Sequence, residues 1–115
     1  MDEQQKPAEI KYEDFAKLDI RIGKVIAAEK VADTDKLIQC TIDLGELGTR
    51  TIVSGIAEWK TSEELVGKLL PYIVNLAPRT LRGVESQGML LAASDESGVV
   101  LLSPEREMAP GSRLK

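Results

Sequence analysis

Across residues 37–44, apolar and polar side chains alternate without a break from Ile38 onward. Ile38, Cys40, Ile42 and Leu44 fall on one side, and Gln39, Thr41 and Asp43 on the other. Side chains of a β-strand point to opposite faces in turn, so this segment predicts a strand with one buried and one wet face. A slip of a single residue in its pairing would bury the polar set and expose the apolar one, which leaves the strand one register. Its apolar face must also be covered by a second layer. The other apolar runs are short as well, Met89-Leu90-Leu91-Ala92-Ala93 being an example. They fall far below the roughly 18 to 20 residues that cross a bilayer, so no membrane span is expected.

The rest of the chain extends this β reading. Residues 12–18 read as a short helical turn. In residues 19–31, Ile20 and Ile22 share a face while Val25 and Ala27 fall out of phase. The slip, next to Gly23, predicts a bulge or bend by which one strand serves two sides of a small barrel. Gly45-Glu46-Leu47-Gly48 reads as a hairpin loop into a strand over residues 49–54. Thr61-Ser62-Glu63-Glu64 is a capping box that opens a helix of about two turns, stopped by Gly67. A strand over residues 69–76 follows, and Pro71 places it at an edge or bulge. Residues 89–93 and 99–102, separated by Ser94-Asp95-Glu96-Ser97-Gly98, form a hairpin. Six or so short strands with one helix inserted after the third outline an all-β fold, a Greek-key barrel of the OB type. Other small barrels share this periodicity.

Size and composition limit the function. The chain has 115 residues, 43% hydrophobic and 30% charged, which suits one packed domain. Its first residues, Met1-Asp2-Glu3-Gln4-Gln5-Lys6-Pro7, lack the cationic and apolar regions of a signal peptide, and a cytoplasmic location is expected. The single cysteine, Cys40, allows no intrachain disulfide and lies on the apolar side of its strand as a core thiol. Histidine is absent, which removes the commonest general base and metal ligand. Gly83-Val84-Glu85-Ser86-Gln87-Gly88 misses the spacing of a nucleophile elbow. Asp33-Thr34-Asp35 lacks the glycine and downstream glutamate of a calcium loop and reads as an Asx-type turn. The chain is therefore not expected to be an enzyme or to hold a metal or cofactor.

Binding chemistry is the alternative. The net charge of −4 argues mildly against nucleic acid, which selects for basic surfaces. The acids are unevenly placed, however. Residues 1–14 carry Asp2, Glu3, Glu9, Glu13 and Asp14 against Lys6 and Lys11, whereas residues 68–88 carry Lys68, Arg79 and Arg82 against Glu85 alone. Arg79-Thr80-Leu81-Arg82-Gly83 puts two guanidinium forks in a loop behind Pro78, where they can grip phosphate oxygens. They can equally be solvated arginines on a connector. Ser86-Gln87-Gly88-Met89 offers a hydroxyl, an amide, an accessible backbone and a flexible apolar side chain, a set able to read unpaired RNA. Aromatic rings are scarce, and Trp59, just before the capped helix, reads as a plug for the barrel end in preference to a base platform.

These pieces together resemble one family. The matching blocks are residues 14–25 (Asp-Phe-Ala-Lys-Leu-Asp-Ile-Arg-Ile-Gly-Lys-Val), Asp35-Lys36-Leu37, Val53-Ser54-Gly55-Ile56-Ala57, Glu63-Glu64-Leu65-Val66-Gly67-Lys68, Val74-Asn75-Leu76-Ala77-Pro78-Arg79, and residues 81–92 around Ser86-Gln87-Gly88-Met89. In these the chain is similar to the tRNA-binding domain of free-standing bacterial tRNA-binding proteins and of the C-terminus of methionyl-tRNA synthetases. The resemblance covers residues 12–115, with residues 1–11 as a flexible lead. It implies an OB barrel with a C-terminal extension that pairs two subunits, and non-catalytic, structure-specific binding of the folded tRNA corner by that homodimer. It also implies support of an aminoacyl-tRNA synthetase, methionyl-tRNA synthetase being the partner. By matching position it puts Lys36, Asn75, Arg79, Arg82, Ser86, Gln87 and Met89 at the RNA face, with Arg21 and Lys68 as secondary members. Two departures stand out: Val31-Ala32-Asp33-Thr34-Asp35-Lys36 replaces a His-Pro-Asn-Ala-Asp-Lys run of many relatives, and Thr80 stands where many have a second basic residue. A sister branch, a secretion-related chaperone that binds unfolded polypeptide, is the alternative reading; the intact Ser86-Gln87-Gly88-Met89 block separates this chain from it.

Overall fold

The computed structural model describes residues 7–115, so residues 1–6 of the expected lead lie outside the described residues. A short helix, α1 (Tyr12–Ala16), enters β1 (Ile20–Lys30). Then come β2 (Ile38–Asp43), a 3-10 turn (Gly45–Leu47), β3 (Thr49–Ser54), α2 (Ser62–Leu65) and β4 (Leu69–Ile73). The chain continues through β5 (Arg79–Leu81), β6 (Val84–Ser86), β7 (Met89–Leu90), β8 (Ala92–Asp95) and β9 (Gly98–Leu101). Five strands form one antiparallel sheet in the order β3-β2-β1-β4-β7. One outer member, β3, meets the segment that leads into the other, because the Gln87 N–H donates to the Thr51 carbonyl at 2.8 Å and the Val53 N–H donates to Ser86 Oγ at 2.9 Å. The sheet thus curls into a nearly closed OB-type barrel, with α2 between β3 and β4 as the sequence predicts.

Strand β1 makes the curl possible. Its first part, Ile20 to Lys24, pairs with β4, and its second, Lys24 to Lys30, pairs with β2. The register shifts between Val25 and Ala27, so the bulge falls at Ile26, beyond the expected place next to Gly23. Both backbone groups of Val25 bind the turn after α2, its N–H donating to Lys68 O at 3.0 Å and its carbonyl accepting from Gly67 N at 2.7 Å. The ladder changes hands there. Gly23 serves close approach instead: a Cβ on it would run into Ile42, Leu44 and Tyr72.

The alternating face of β2 is the heart of the core. Ile38, Cys40, Ile42 and Leu44 are all buried, together with Val25, Ile52, Leu70 and Tyr72. Burial pushes the Cys40 thiol up to about 11, which keeps it protonated and inert at neutral pH. Helix α2 carries Leu65 into the same cluster. Its capping box forms as expected, with Glu64 N donating to Thr61 Oγ1 at 3.2 Å and Thr61 N to Glu64 Oε1 at 2.7 Å.

Four expectations need correction. Helix α2 is one turn long, four residues against the expected two turns, because Val66 already has extended backbone. Strand β4 is not an edge, since β1 and β7 flank it. Pro71 is tolerated because its carbonyl accepts from Leu91 N on the β7 side, so the missing N–H also faces that side, where pairing is confined to Tyr72 and Ile73. The expected strand over residues 69–76 ends at Ile73, where the Val74 N–H turns to the Asp19 carbonyl at 2.8 Å. The expected strand over residues 89–93 breaks at Leu91, leaving β7 in the barrel and β8 in a separate hairpin with β9.

The C-terminal residues run back along the first part of β1. Ile22 N donates to Ser112 O, Gly111 N to Ile22 O and Leu114 N to Ile20 O, all at 2.7–2.8 Å. Replacing Gly23 with alanine should overpack its contact with Ile42, Leu44 and Tyr72 in the core and cost about 1–3 kcal/mol. Urea denaturation of the variant against the parent chain checks the value.

Candidate nucleic-acid interface

The two arginines singled out in the sequence sit on a hairpin, where a plain loop was expected. Strands β5 and β6 pair Arg79 with Ser86, Thr80 with Glu85 and Leu81 with Val84. The connecting pair Arg82-Gly83 has φ of 50° and 82°, the left-handed turn that matches the twist of antiparallel strands. Gly83 suits this geometry, and Arg82 adopts it at the tip. Both arginines are exposed, and neither forms a salt bridge among the described residues. Their charges are therefore available to a ligand.

Beside the hairpin lies an open groove of about 420 Å³. Val53, Ile56, Leu81 and Val99 supply apolar lining, and Arg79 and Met89 border it too. Met89 is exposed although it pairs within the sheet. Lys36 comes near through its backbone, whose carbonyl accepts from Ala57 N at 3.1 Å while its neighbour Leu37 lines the groove. The preceding turn is held by Thr34, whose hydroxyl accepts from Lys36 N at 3.2 Å. Lys30 pairs with Asp35 at 3.5 Å. The structure thus places Arg79 and Met89 on the groove, Arg82 at the tip of the adjoining hairpin, and Lys36 next in sequence to the groove-lining Leu37.

The other expected site residues have different surroundings. Ser86 is buried, and its hydroxyl accepts from Val53 N at 2.9 Å while donating to the Gly88 carbonyl at 3.2 Å. Gln87 bonds Thr51 twice, its amide Oε1 accepting from Thr51 N at 3.0 Å and its own N–H donating to Thr51 O. Both side chains stitch the barrel seam. Gly88 is needed for close packing, because a Cβ there would stand 2.8 Å from the Ile73 carbonyl oxygen. Asn75 joins the end of β4 to the start of β1, its Oδ1 accepting from Asp19 N at 2.8 Å and its Nδ2 donating to Lys17 O at 2.7 Å. Lys68 is exposed on the turn after α2 and does not line the groove.

Arg21 belongs to a clasp on the C-terminal segment. Its Nε donates to Asp19 Oδ1 at 2.6 Å and its Nη1 to the Gly111 carbonyl at 3.0 Å. Arg113 stands 3.8 Å from the same carboxylate. The hydrogen bond from Arg21 holds the Asp19 carboxyl below its usual range; partial desolvation opposes this, and the charges of Arg21, Arg113 and Arg50 add to it.

Two groove features carry no role in the sequence reading. Gly55 and Ile56 line it, although their block contributes only family likeness there. Trp59 is 45% exposed and does not plug the barrel, a position taken by Leu65 from α2. Among the described residues no cluster of His, Cys, Asp or Glu is placed to hold a metal ion, and no helix is long and apolar enough to cross a membrane.

A nearly closed OB-type barrel with unpaired guanidinium groups beside an apolar groove has the form of a binding module. The chain belongs to the tRNA binding domain family, whose profile matches residues 20–113; this is a family of non-catalytic binding domains. It is 54% identical to the methionine–tRNA ligase of Archaeoglobus fulgidus over 96% of this chain, and 51% identical to that of Methanosarcina acetivorans over 93%. It spans only 17% and 15% of those relatives' lengths. Among solved structures, a MetRS-related protein from Pyrococcus horikoshii superposes with a TM-score of 0.89 at 41% identity, covering 95% of this chain and all of the other. The chaperone CsaA of Bacillus anthracis superposes at 0.85 and 33% identity, covering 94% of this chain and all of its own.

Replacing Ser86 with alanine should strand the Val53 N–H and destabilise the barrel by about 1–3 kcal/mol, as read by urea denaturation. The Asp19 clasp should be pH-dependent. Because its folded pKa is lowered, its stabilisation is present above the unfolded value of about 3.9 and is lost as pH falls through the lower folded value. Protection of the Ile22 and Leu114 amides, taken relative to their intrinsic exchange rates, should therefore fall below about pH 4, and Asp19→Asn should show low protection already at neutral pH.

Proposed function

We propose that this chain is a non-catalytic module that binds folded tRNA through the hairpin and groove described above. The observation that carries the reading is the pair of exposed guanidinium groups, Arg79 and Arg82, presented without protein counter-ions on a rigid hairpin beside an apolar groove. Arginine's planar fork suits phosphate oxygens, and it is less strongly hydrated than lysine. Lys36, next to the groove-lining Leu37, adds a third cation, and Met89 an adaptable apolar surface for a base or sugar. Ser86, Gln87 and Asn75 act in this reading as positioning residues, because their polar atoms are already bonded within the fold. Arg21 and Lys68 sit apart from the groove and add at most long-range attraction.

The fold favours recognition of shape over sequence. A hairpin that presents charges at fixed spacing selects a phosphate arrangement, and the folded corner of tRNA offers such an arrangement independent of its anticodon. The module works as a homodimer, with the C-terminal segment supplying the interface. That segment borders an apolar cleft lined by Ile22, Pro71, Leu102 and Met108, and Leu102 and Val100 are left exposed. Pairing two copies doubles the cationic groups available to one RNA. The similarity to methionine–tRNA ligases supports a role beside such a synthetase in the cytoplasm.

One observation favours a second reading. The groove is largely apolar, and the likeness to CsaA chaperones extends over nearly the whole chain. An unfolded polypeptide could place apolar side chains in the same groove.

Replacing Arg79 and Arg82 together with alanine should weaken tRNA retention in filter binding. It should also flatten the slope of log affinity against log salt by about 0.7 to 0.9 for each phosphate that is no longer neutralised. Unchanged affinity, or equal capture of a denatured model protein, would favour the polypeptide reading.

A further inference from the structure

Trp59 is the sole tryptophan of the chain, and the barrel is complete without it. Leu65 and Tyr72 fill the interior at 1% and 2% exposure, whereas Trp59 remains 45% exposed. Tryptophan has much to gain from burial, so a half-open indole calls for a partner.

The ring is nevertheless firmly seated. The Trp59 backbone N–H donates to the Ile56 carbonyl at 3.0 Å. One edge of the indole, from Cγ through Cδ1 to Nε1, lies against Gly98, where φ is +120° and any Cβ would collide with the ring. Both supports adjoin the groove, since Ile56 lines it and Gly98 is next to Val99, which also lines it. The indole N–H donates to no protein group among the described residues.

Charges of both signs lie near the ring, Glu58 and Lys60 beside it in sequence and Asp95 paired with Gly98 in the hairpin that supports it. The carbonyl of Lys36 is bonded to Ala57, two residues before Trp59, while Arg79 borders the other part of the groove. A ligand that pairs negative charge with flat apolar groups fits this arrangement, and nucleic acid has that composition.

We infer that Trp59 is a stacking platform for one unpaired nucleobase of the bound RNA, seated beside the groove-lining Ile56. This inference rests on the tRNA reading given above and adds a residue to it. The base lies on the open part of the indole, Lys36 takes an adjoining phosphate, and the indole N–H is free for a base or sugar oxygen. Stacking on a preset aromatic ring tolerates every base because each has a π-face, and loss of the ring should weaken binding on the order of 10-fold to 100-fold.

The test uses the full chain and an unmodified tRNA transcript, following tryptophan emission and filter retention in parallel. Emission comes from Trp59 alone, so it should be quenched with the midpoint at which tRNA is retained. Trp59→Ala should weaken retention by about 10-fold or more, and Trp59→Phe, which keeps a stacking face, should bind more tightly than the alanine variant. A fully paired RNA duplex should leave the emission unchanged. Thermal unfolding shows whether the alanine variant folds; if it does not, the parent quenching and the phenylalanine variant decide. Retention of tRNA with no quenching, or with equal affinity for all three proteins, overturns the stacking role and leaves tRNA binding standing. Failure of the parent to retain tRNA overturns both, and quenching by denatured polypeptide alone assigns the ring to the rival ligand.

Discussion

The seam between β3 and the segment at Ser86 and Gln87 is the junction on which the rest of the molecule depends. A five-stranded sheet that stayed open would leave β3 with a row of unpaired backbone groups, which invites pairing with other chains. Here the Ser86 hydroxyl, the Gln87 amide and the Gln87 backbone replace a regular strand ladder, bonding Thr51 and Val53 of β3. Side chains can close a gap that backbone pairing alone cannot, because they reach across at angles a second strand could not follow. The bulge at Ile26 and the side-chain-free crossing at Gly23 bend the sheet far enough for this to happen.

Closure also fixes the surface that the barrel presents. Ser86 is the cross-strand neighbour of Arg79, so the residue that seals the seam also sets the base of the arginine hairpin. Its tip turn then sets the direction of Arg82. Little conformational entropy remains to be lost by the backbone when a ligand meets these groups, which is how a modest number of charges can still hold a partner. The C-terminal segment is held in a similar way, through the Asp19 carboxylate and backbone bonds to β1.

Much of this is legible in the sequence, and the failures have identifiable causes. The alternation over residues 37–44 and the Thr61 capping box translate directly, because both are local patterns enforced by backbone geometry. Pro71 misleads because a missing N–H marks an edge only where a neighbouring strand would have needed that donor. Ser86 and Gln87 read naturally as ligand donors, since a tetrapeptide cannot show that β3 lies opposite. Their partners are more than thirty residues away, and only tertiary closure reveals them. Trp59 misleads in the opposite sense: tryptophan is usually buried, but Leu65 already fills the space.

The acidic character of the chain and its membership in a tRNA-binding family are compatible for a reason of scale. Charges separated by more than about 8 Å are largely screened at physiological salt, so a ligand at the groove responds to the cations within its reach and only weakly to the distant acids. Asp14 is paired with Lys17, Asp19 with Arg21 and Arg113, and Asp35 with Lys30, which ties several carboxylates to cations outside the groove. Arg79 and Arg82 are left as the unpaired members of their hairpin's positive set. Net charge sums over the whole surface, whereas binding samples one part of it. On a barrel this small, the decisive quantity is which cations the fold leaves without partners.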